Sequence, residues 1–150
     1  MFDILKGKHI VLRKAKETDW QPMLANVWSD EAVYRWMLFQ PTLTEAEARY
    51  RCARSISFQK ENFAWFIALR DTDEAIGMCA IREEKPGCFE ECGICLGTKY
   101  QWKGYGKETV TLLLDLVFRE LGAETVRYGY DYDNIKSKKS STKFPMSAAS

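Results

Sequence analysis

Residues 99–122, KYQWKGYGKETVTLLLDLVFRELG, set two glycines directly ahead of a long apolar repeat, and no other stretch constrains the fold as much. Val110, Leu113, Leu114, Val117, Phe118 and Leu121 fall at i, i+3, i+4, i+7, i+8 and i+11, one face of an amphipathic helix. Gly122 follows where a left-handed C-terminal cap belongs. Residues 89–97 upstream read as a strand, and Val126, Tyr128 and Tyr130 alternate as another downstream. Strand, helix, strand in that order predicts a parallel crossover, which is nearly always right-handed. Gly104 and Gly106 then have two readings: a tight strand-to-helix turn, or a cradle for an anion. The first turn of a helix carries unsatisfied N–H groups and the positive end of the macrodipole. Glycine lets backbone approach a phosphate closely, and Lys103 and Lys107 add positive charge.

The remaining elements follow from periodicity and caps. Residues 9–13, HIVLR, read as a short strand. Thr18 with Gln21 is a capping-box pair opening a helix through Trp20, Met23, Leu24, Val27 and Trp28. Thr44 with Glu47 opens a second helix, running to about Lys60. Residues 63–70 and 75–84 form a hairpin across the turn cluster DTDE, and Pro86-Gly87 leads into the strand at 89–97. The tail, NIKSKKSSTKFPMSAAS, starts as a short helix and ends without periodic signal, so residues 145–150 are expected to fray.

Composition excludes several classes. The 150 residues suit one domain, and 22 basic against 21 acidic residues give a net charge of +1. That balance supplies no electrostatic footprint for nucleic acid or a membrane surface. No apolar run reaches the ~20 residues of a membrane span. Charges interrupt the opening residues MFDILKGKHIVLRKAKE, and the five cysteines are odd in number, so a reducing, cytoplasmic location with free thiols is expected. Cys88, Cys92 and Cys95 have a metal-like spacing but share one strand, and the single histidine, His9, is remote. A zinc site needs four converging ligands, so no metal is expected, and a Cys–His nucleophile is equally unsupported.

The order strand, Gln101-x-x-Gly104-x-Gly106, long helix, strand resembles the GNAT superfamily of acetyl-CoA-dependent N-acetyltransferases, whose pyrophosphate loop reads Q/R-x-x-G-x-G/A. GICLGTKYQWKGYGKE is similar to that family's strand and loop, above all in the branch acetylating ribosomal-protein N-termini. GKHIVLRKAKETDW is similar to that branch's first strand and helix start. DNIKSKKSSTKF resembles the Asn-x-x-Ser stretch opening its last helix. The resemblance spans about residues 7–144.

It implies an α+β (mixed α/β) fold with a mostly antiparallel central sheet, one parallel β-α-β crossover and flanking helices. It also implies acetyl-CoA as the donor, with an amine attacking the thioester directly in a ternary complex. The positions matching the pyrophosphate loop are Gln101, Trp102, Lys103, Gly104, Tyr105, Gly106 and Lys107. Those matching the pantetheine-binding strand are Cys95, Leu96 and Gly97. Asn134 matches a residue touching the cofactor arm and equally suits a helix N-cap. Glu91 matches a general base, beside an equally acidic Glu90. Many relatives carry a Tyr as general acid where this chain has Ser141, leaving Ser141 or solvent to protonate the thiolate. Tyr34, Trp36, Phe39 and Trp65 are either core or the wall of a pocket for the acceptor, a small-molecule amine or a protein N-terminus. Lys136, Lys138, Lys139 and Lys143 form a solvated face or meet the 3′-phosphate of CoA.

One departure is large. The family's last helix ends in a K-x-G-F-like turn followed by a β-hairpin, whereas Pro145 stands here in the glycine's place. The C-terminal hairpin is therefore expected to be missing, leaving an exposed sheet edge at which a homodimer would form. Two other readings stay open. A dinucleotide-binding oxidoreductase fragment is favoured by Asp131 after the crossover strand, but Thr109 replaces the third glycine. A non-catalytic CoA-binding module is favoured by Ser141 and the shortened end.

Overall fold

A computed structural model of the chain describes residues 2–37, 41–128 and 142–145. Seven strands form one sheet in chain order: β1 (Ile4–Lys6), β2 (Ile10–Arg13), β3 (Phe63–Leu69), β4 (Ala75–Lys85), β5 (Cys88–Leu96), β6 (Thr125–Tyr128) and β7 (Thr142–Pro145). Every neighbouring pair is antiparallel except β5 and β6. The helices are α1 (Trp20–Met23), α2 (Glu31–Met37), α3 (Glu45–Glu61) and α4 (Tyr105–Asp115). A π-helical turn extends α1 through Leu24–Trp28, and another extends α4 through Leu116–Glu120.

The expected crossover is the link between β5 and β6. Its helix α4 covers one face of the sheet, where Leu113, Leu116 and Val117 pack on Ile10, Leu12, Ile67 and Ile76. The α1–α3 layer covers the other face, where Met23, Val27, Trp28, Ala48 and Cys52 meet Phe66 and Cys95. Gly122 holds φ +69, the left-handed conformation expected at the end of that helix. A doubly wound sheet, on which the dinucleotide-binding reading rests, needs several parallel pairs; among the described residues there is one.

Buried polar groups fix the rest of this frame. Arg13 makes paired bonds to Asp19 at 2.8 and 2.9 Å and a third to Asp73 Oδ1 at 2.7 Å. Lys14 Nζ donates to the carbonyls of Gln59, Asn62 and Ala64, tying α3 to β3.

Three expectations change. Thr18 does not cap the first helix: Asp19 Oδ2 accepts the Lys16 N–H at 2.8 Å, closing a 3₁₀ turn at Glu17–Asp19. The helix also breaks at Ser29, and Asp30 Oδ1 caps α2 by accepting from Ala32 N–H. The cap at Thr44 and Glu47 forms as expected.

The third change is at the C-terminus. Thr142–Pro145, expected to end a helix and begin a frayed tail, is strand β7, antiparallel to β6 from Thr125↔Pro145 to Tyr128↔Thr142. A β-branched and aromatic run suits a strand, and proline is tolerated at the end of an edge strand. The chain itself thus covers the edge of β6, and the ground given for a homodimer there is removed. Residues 146–150 lie outside the described residues.

Candidate functional site

Two neighbouring strands part at the centre of the molecule. β5 pairs with β6 only over Cys88–Glu90, whereas it pairs with β4 as far as Leu96. Between Ala80 and Ile81 the β4 partner shifts from Gly93 to Glu91, which leaves Cys92 as the extra residue of a bulge. Gly93 takes φ +138 there. Gly97 N–H donates to the Ile76 carbonyl at 3.0 Å. Alternation along an antiparallel ladder then turns the backbone groups of Ile94 and Leu96 toward the gap, and those of Cys95 and Gly97 toward β4.

Gln101 closes the end of this strand. Its side chain is buried, and Nε2 donates to the Leu96 carbonyl at 3.0 Å. A Cβ on Gly97 would collide with the Asn26 carbonyl, so the strand end presses on the helical layer. Asn26 is itself held by Glu74 at 2.8 Å and the Ala75 carbonyl at 2.9 Å. Thr98 N–H donates to Asp30 Oδ2 at 2.8 Å, and Tyr100 hydroxyl to Glu74 at 3.3 Å.

The glycine turn follows directly. Trp102 (φ +66) and Gly104 (φ +86) both take left-handed backbone, and a Cβ on Gly104 would meet nothing within 4 Å. The helical ladder begins with Glu108 N–H donating to Gly104 C=O at 3.0 Å. The N–H groups of Tyr105, Gly106 and Lys107 therefore precede the ladder and have no acceptor within it. Lys103 and Lys107 are exposed on either side. Open space, unsatisfied donors and two ammonium groups fit a pyrophosphate.

On the opposite face from α4, a cavity of about 660 Å³ opens between α3 and strands β3–β5. Its floor includes Met78, Ala80, Cys92 and Gly93, so it reaches the bulge. Its α3 wall presents Tyr50, Arg51, Arg54 and Phe58. Arg51 lies over the Trp28 ring at 5.0 Å and donates to Thr42 Oγ1 at 2.8 Å; burial lowers its pKa. Cys95 and Cys79 also line the cavity, and burial pushes both thiols up, Cys95 to about 12.

The expected site residues are thus unequally distributed. Gln101 through Lys107 form the turn, and Cys95, Leu96 and Gly97 form the strand end leading into it; of these three only Leu96 turns its backbone groups to the gap, because those of Cys95 and Gly97 bond β4, so Ile94 takes the place expected of them. Glu91 is the first β5 residue beyond the last β5–β6 pair, with its side chain on the α4 face among Ile81, Ile94, Val110 and Val126. Trp65 is fully buried, its Nε1 donating to the Phe2 carbonyl at 2.8 Å, and it also lines the cavity. Tyr34 is half-buried on α2, and Trp36 lies on the same helix. Phe39, Asn134 and Ser141 lie outside the described residues, as do Lys136, Lys138, Lys139 and Asp131.

Sequence reasoning missed the α3 wall. A signal existed: the buried positions of α3 are the modest Ala48, Cys52 and Gln59, while two aromatics, Tyr50 and Phe58, stay 65% and 55% exposed. A helix that keeps its large rings outside the core has another use for that face.

Comparison with known proteins agrees with this geometry. The family model described as the acetyltransferase (GNAT) domain matches residues 9–146. The chain is 26% identical over 140 residues to the uncharacterized N-acetyltransferase p20 of Bacillus licheniformis, covering 91% of this chain and 78% of that protein. Among solved structures, a GNAT-family acetyltransferase from Bacillus anthracis superposes with a TM-score of 0.71 at 19% identity, covering 89% of this chain and 77% of that one. RimL, a ribosomal L7/L12 α-N-protein acetyltransferase, superposes with a TM-score of 0.64 at 18% identity, covering 83% and 70%.

Proposed function

Because the chain belongs to the GNAT acetyltransferase family, we propose that it moves an acetyl group from acetyl-CoA to a primary amine, on a small molecule or a protein N-terminus, by direct attack in a ternary complex. The observation that carries this reading is a path of adjoining elements: β5 parts from β6 beyond Glu90 and continues through Gly97 to the N–H-lined turn, and its bulge residues Cys92 and Gly93 line the cavity on the other face.

Each part of the path has a chemical task. The N–H groups of the α4 first turn, with Lys103 and Lys107, hold the pyrophosphate. The backbone groups of Ile94 and Leu96 facing the gap bond the pantetheine amides. Gln101 keeps the Leu96 carbonyl in place and so fixes the end of that strand. The donor supplies an acyl carbon activated as a thioester. The amine reaches it from the cavity and must arrive unprotonated. Glu91 lies at the apex of the gap with its side chain on the α4 face, opposite the cavity, so it takes the amine's proton through water standing in the gap between β5 and β6, as a carboxylate base does. The amine nitrogen forms the new C–N bond, the C–S bond breaks, and the thiolate leaves with a proton from Ser141 or solvent.

Calorimetric titration with acetyl-CoA, followed by thiol release with a panel of amines and N-terminal peptides, tests the reading. We expect saturable acetyl-CoA binding and amine-dependent release of CoA thiol. Binding without release by any acceptor would leave a non-catalytic CoA-binding module. Absence of binding rejects the proposal.

A further inference from the structure

The α3 wall of the cavity is electrostatically one-sided. Glu47, Tyr50, Arg51, Arg54, Ser55 and Phe58 recur at i, i+3, i+4, i+7, i+8 and i+11, one face of the helix, and all line the cavity. This stripe carries two guanidinium groups and one carboxylate. The carboxylate is already committed: Glu47 Oε1 accepts the N–H groups of Leu43 at 3.1 Å and Thr44 at 3.2 Å, closing the helix cap. Among the described residues Arg54 has no carboxylate partner, and its guanidinium lies over the Tyr50 ring at 5.9 Å. Arg51 is anchored behind it by Trp28 and Thr42. The facing wall of Met78, Ala80 and Gly93 carries no charge.

We infer that the acceptor is an amine that also carries a carboxylate, with the carboxylate seated on Arg54 and the amine directed at the β5 bulge; this rests on the acetyl-transfer reading above. A guanidinium fork matches a carboxylate in two parallel hydrogen bonds. Tyr50 and Phe58 flank the arginines on the rim and receive the apolar part of such a molecule. A volume of about 660 Å³ suits an amino-acid-sized compound or the first residues of a peptide. Both sources share the same chemistry, an amine and an acid on one short frame.

Matched pairs separate the sources and test the inference by equilibrium binding, independently of turnover. Free amino acids beside their amides form one series, and N-terminal tetrapeptides with Asp or Glu at the second position beside Asn or Gln form the other. Each is titrated calorimetrically into the full chain, with and without coenzyme A. The acidic member of at least one series should bind tenfold or more tightly, the free-acid series indicating a small molecule and the peptide series a protein N-terminus. Arg54→Gln should bring that ratio close to one, and Arg54→Lys should keep part of it. Equal affinity in both series, no binding in either, or an acid preference that survives Arg54→Gln overturns the inference. A titration with coenzyme A alone is read separately, so loss of the cofactor reading and loss of the acidic acceptor remain distinct results.

Discussion

The Glu108 carboxylate, in the first turn of α4, accepts the His9 backbone N–H at 2.7 Å across 99 positions of sequence. Its Oε2 also accepts the Ile10 N–H at 3.1 Å, and Oε1 meets His9 Nδ1 at 3.1 Å. One side chain thus pins the start of β2 to the helix whose N-terminus forms the proposed pyrophosphate cradle. Burial alone would raise its pKa, but the bonds from His9 and Ile10 outweigh that and hold it below the ordinary 4.5. A carboxylate depressed in the folded state stabilises fully above its unfolded pKa and loses that contribution as pH falls through the folded value. Glu108→Gln should therefore cost about 1–3 kcal/mol near neutrality. It should also flatten the loss of stability below about pH 4.5, measured by urea unfolding at several pH values. An unchanged acid limb in the variant would contradict the assignment.

Gly104 tests the cradle from the backbone side. Its φ of +86 disfavours any β-branched residue, although the added atoms would meet open space. Gly104→Val should destabilise by about 1–2 kcal/mol, the usual cost of left-handed backbone. It should weaken acetyl-CoA binding by more than stability loss alone explains. A double charge reversal at Lys103 and Lys107 should weaken the same binding with little change in melting temperature, and the salt dependence of binding should shrink with it.

Glu91→Gln separates chemistry from binding. If Glu91 takes the amine's proton, the variant should lose about 10²- to 10⁴-fold in kcat. Its KM for acetyl-CoA should hardly move. A wild-type kcat in the variant would remove Glu91 from the mechanism.

Arg13 and Asp19 form a buried pair, with side chains 9% and 4% exposed. Asp19→Ala strands the guanidinium, and breaking one partner of such a pair costs about 3–5 kcal/mol. A shift smaller than about 1 kcal/mol in urea unfolding would mean that Asp73, which also bonds Arg13, suffices alone.

The thiols should react in the order of their surroundings. Burial raises the Cys92 thiol as well, but Cys92 is exposed on the bulge, whereas Cys79 and Cys95 are buried and raised furthest. Alkylation followed by mass spectrometry near pH 8 should modify Cys92 before Cys79 and Cys95, which are spared until the protein unfolds. Equal rates at Cys92 and Cys95 would show that the cavity floor opens in solution.

The sequence by itself determined the local features of this protein. Periodicity and caps are nearest-neighbour properties, so the α4 stripe, the Thr44–Glu47 box, the β3–β4 hairpin and the Gly122 stop could all be read in advance. So could the strand, turn and helix order around Gly104, because a left-handed turn before a helix needs glycine wherever it occurs. Tertiary structure decided what depends on partners remote in sequence. Trp65 is buried, its N–H taken by the Phe2 carbonyl, and it also lines the cavity beneath α3, so both expected roles meet in one ring. Thr18 lost its cap because Asp19 is shared between Lys16 N–H and Arg13. Thr142–Pro145 is a strand because β6 offered an unpaired edge. The arginine-bearing face of α3 is a cavity wall because β3–β5 lie opposite it, with the bulge residues Cys92 and Gly93 in the lining. Short-range spacing encodes which backbone conformation a segment prefers; which side chains share a cavity depends on strands and helices that the sequence keeps far apart.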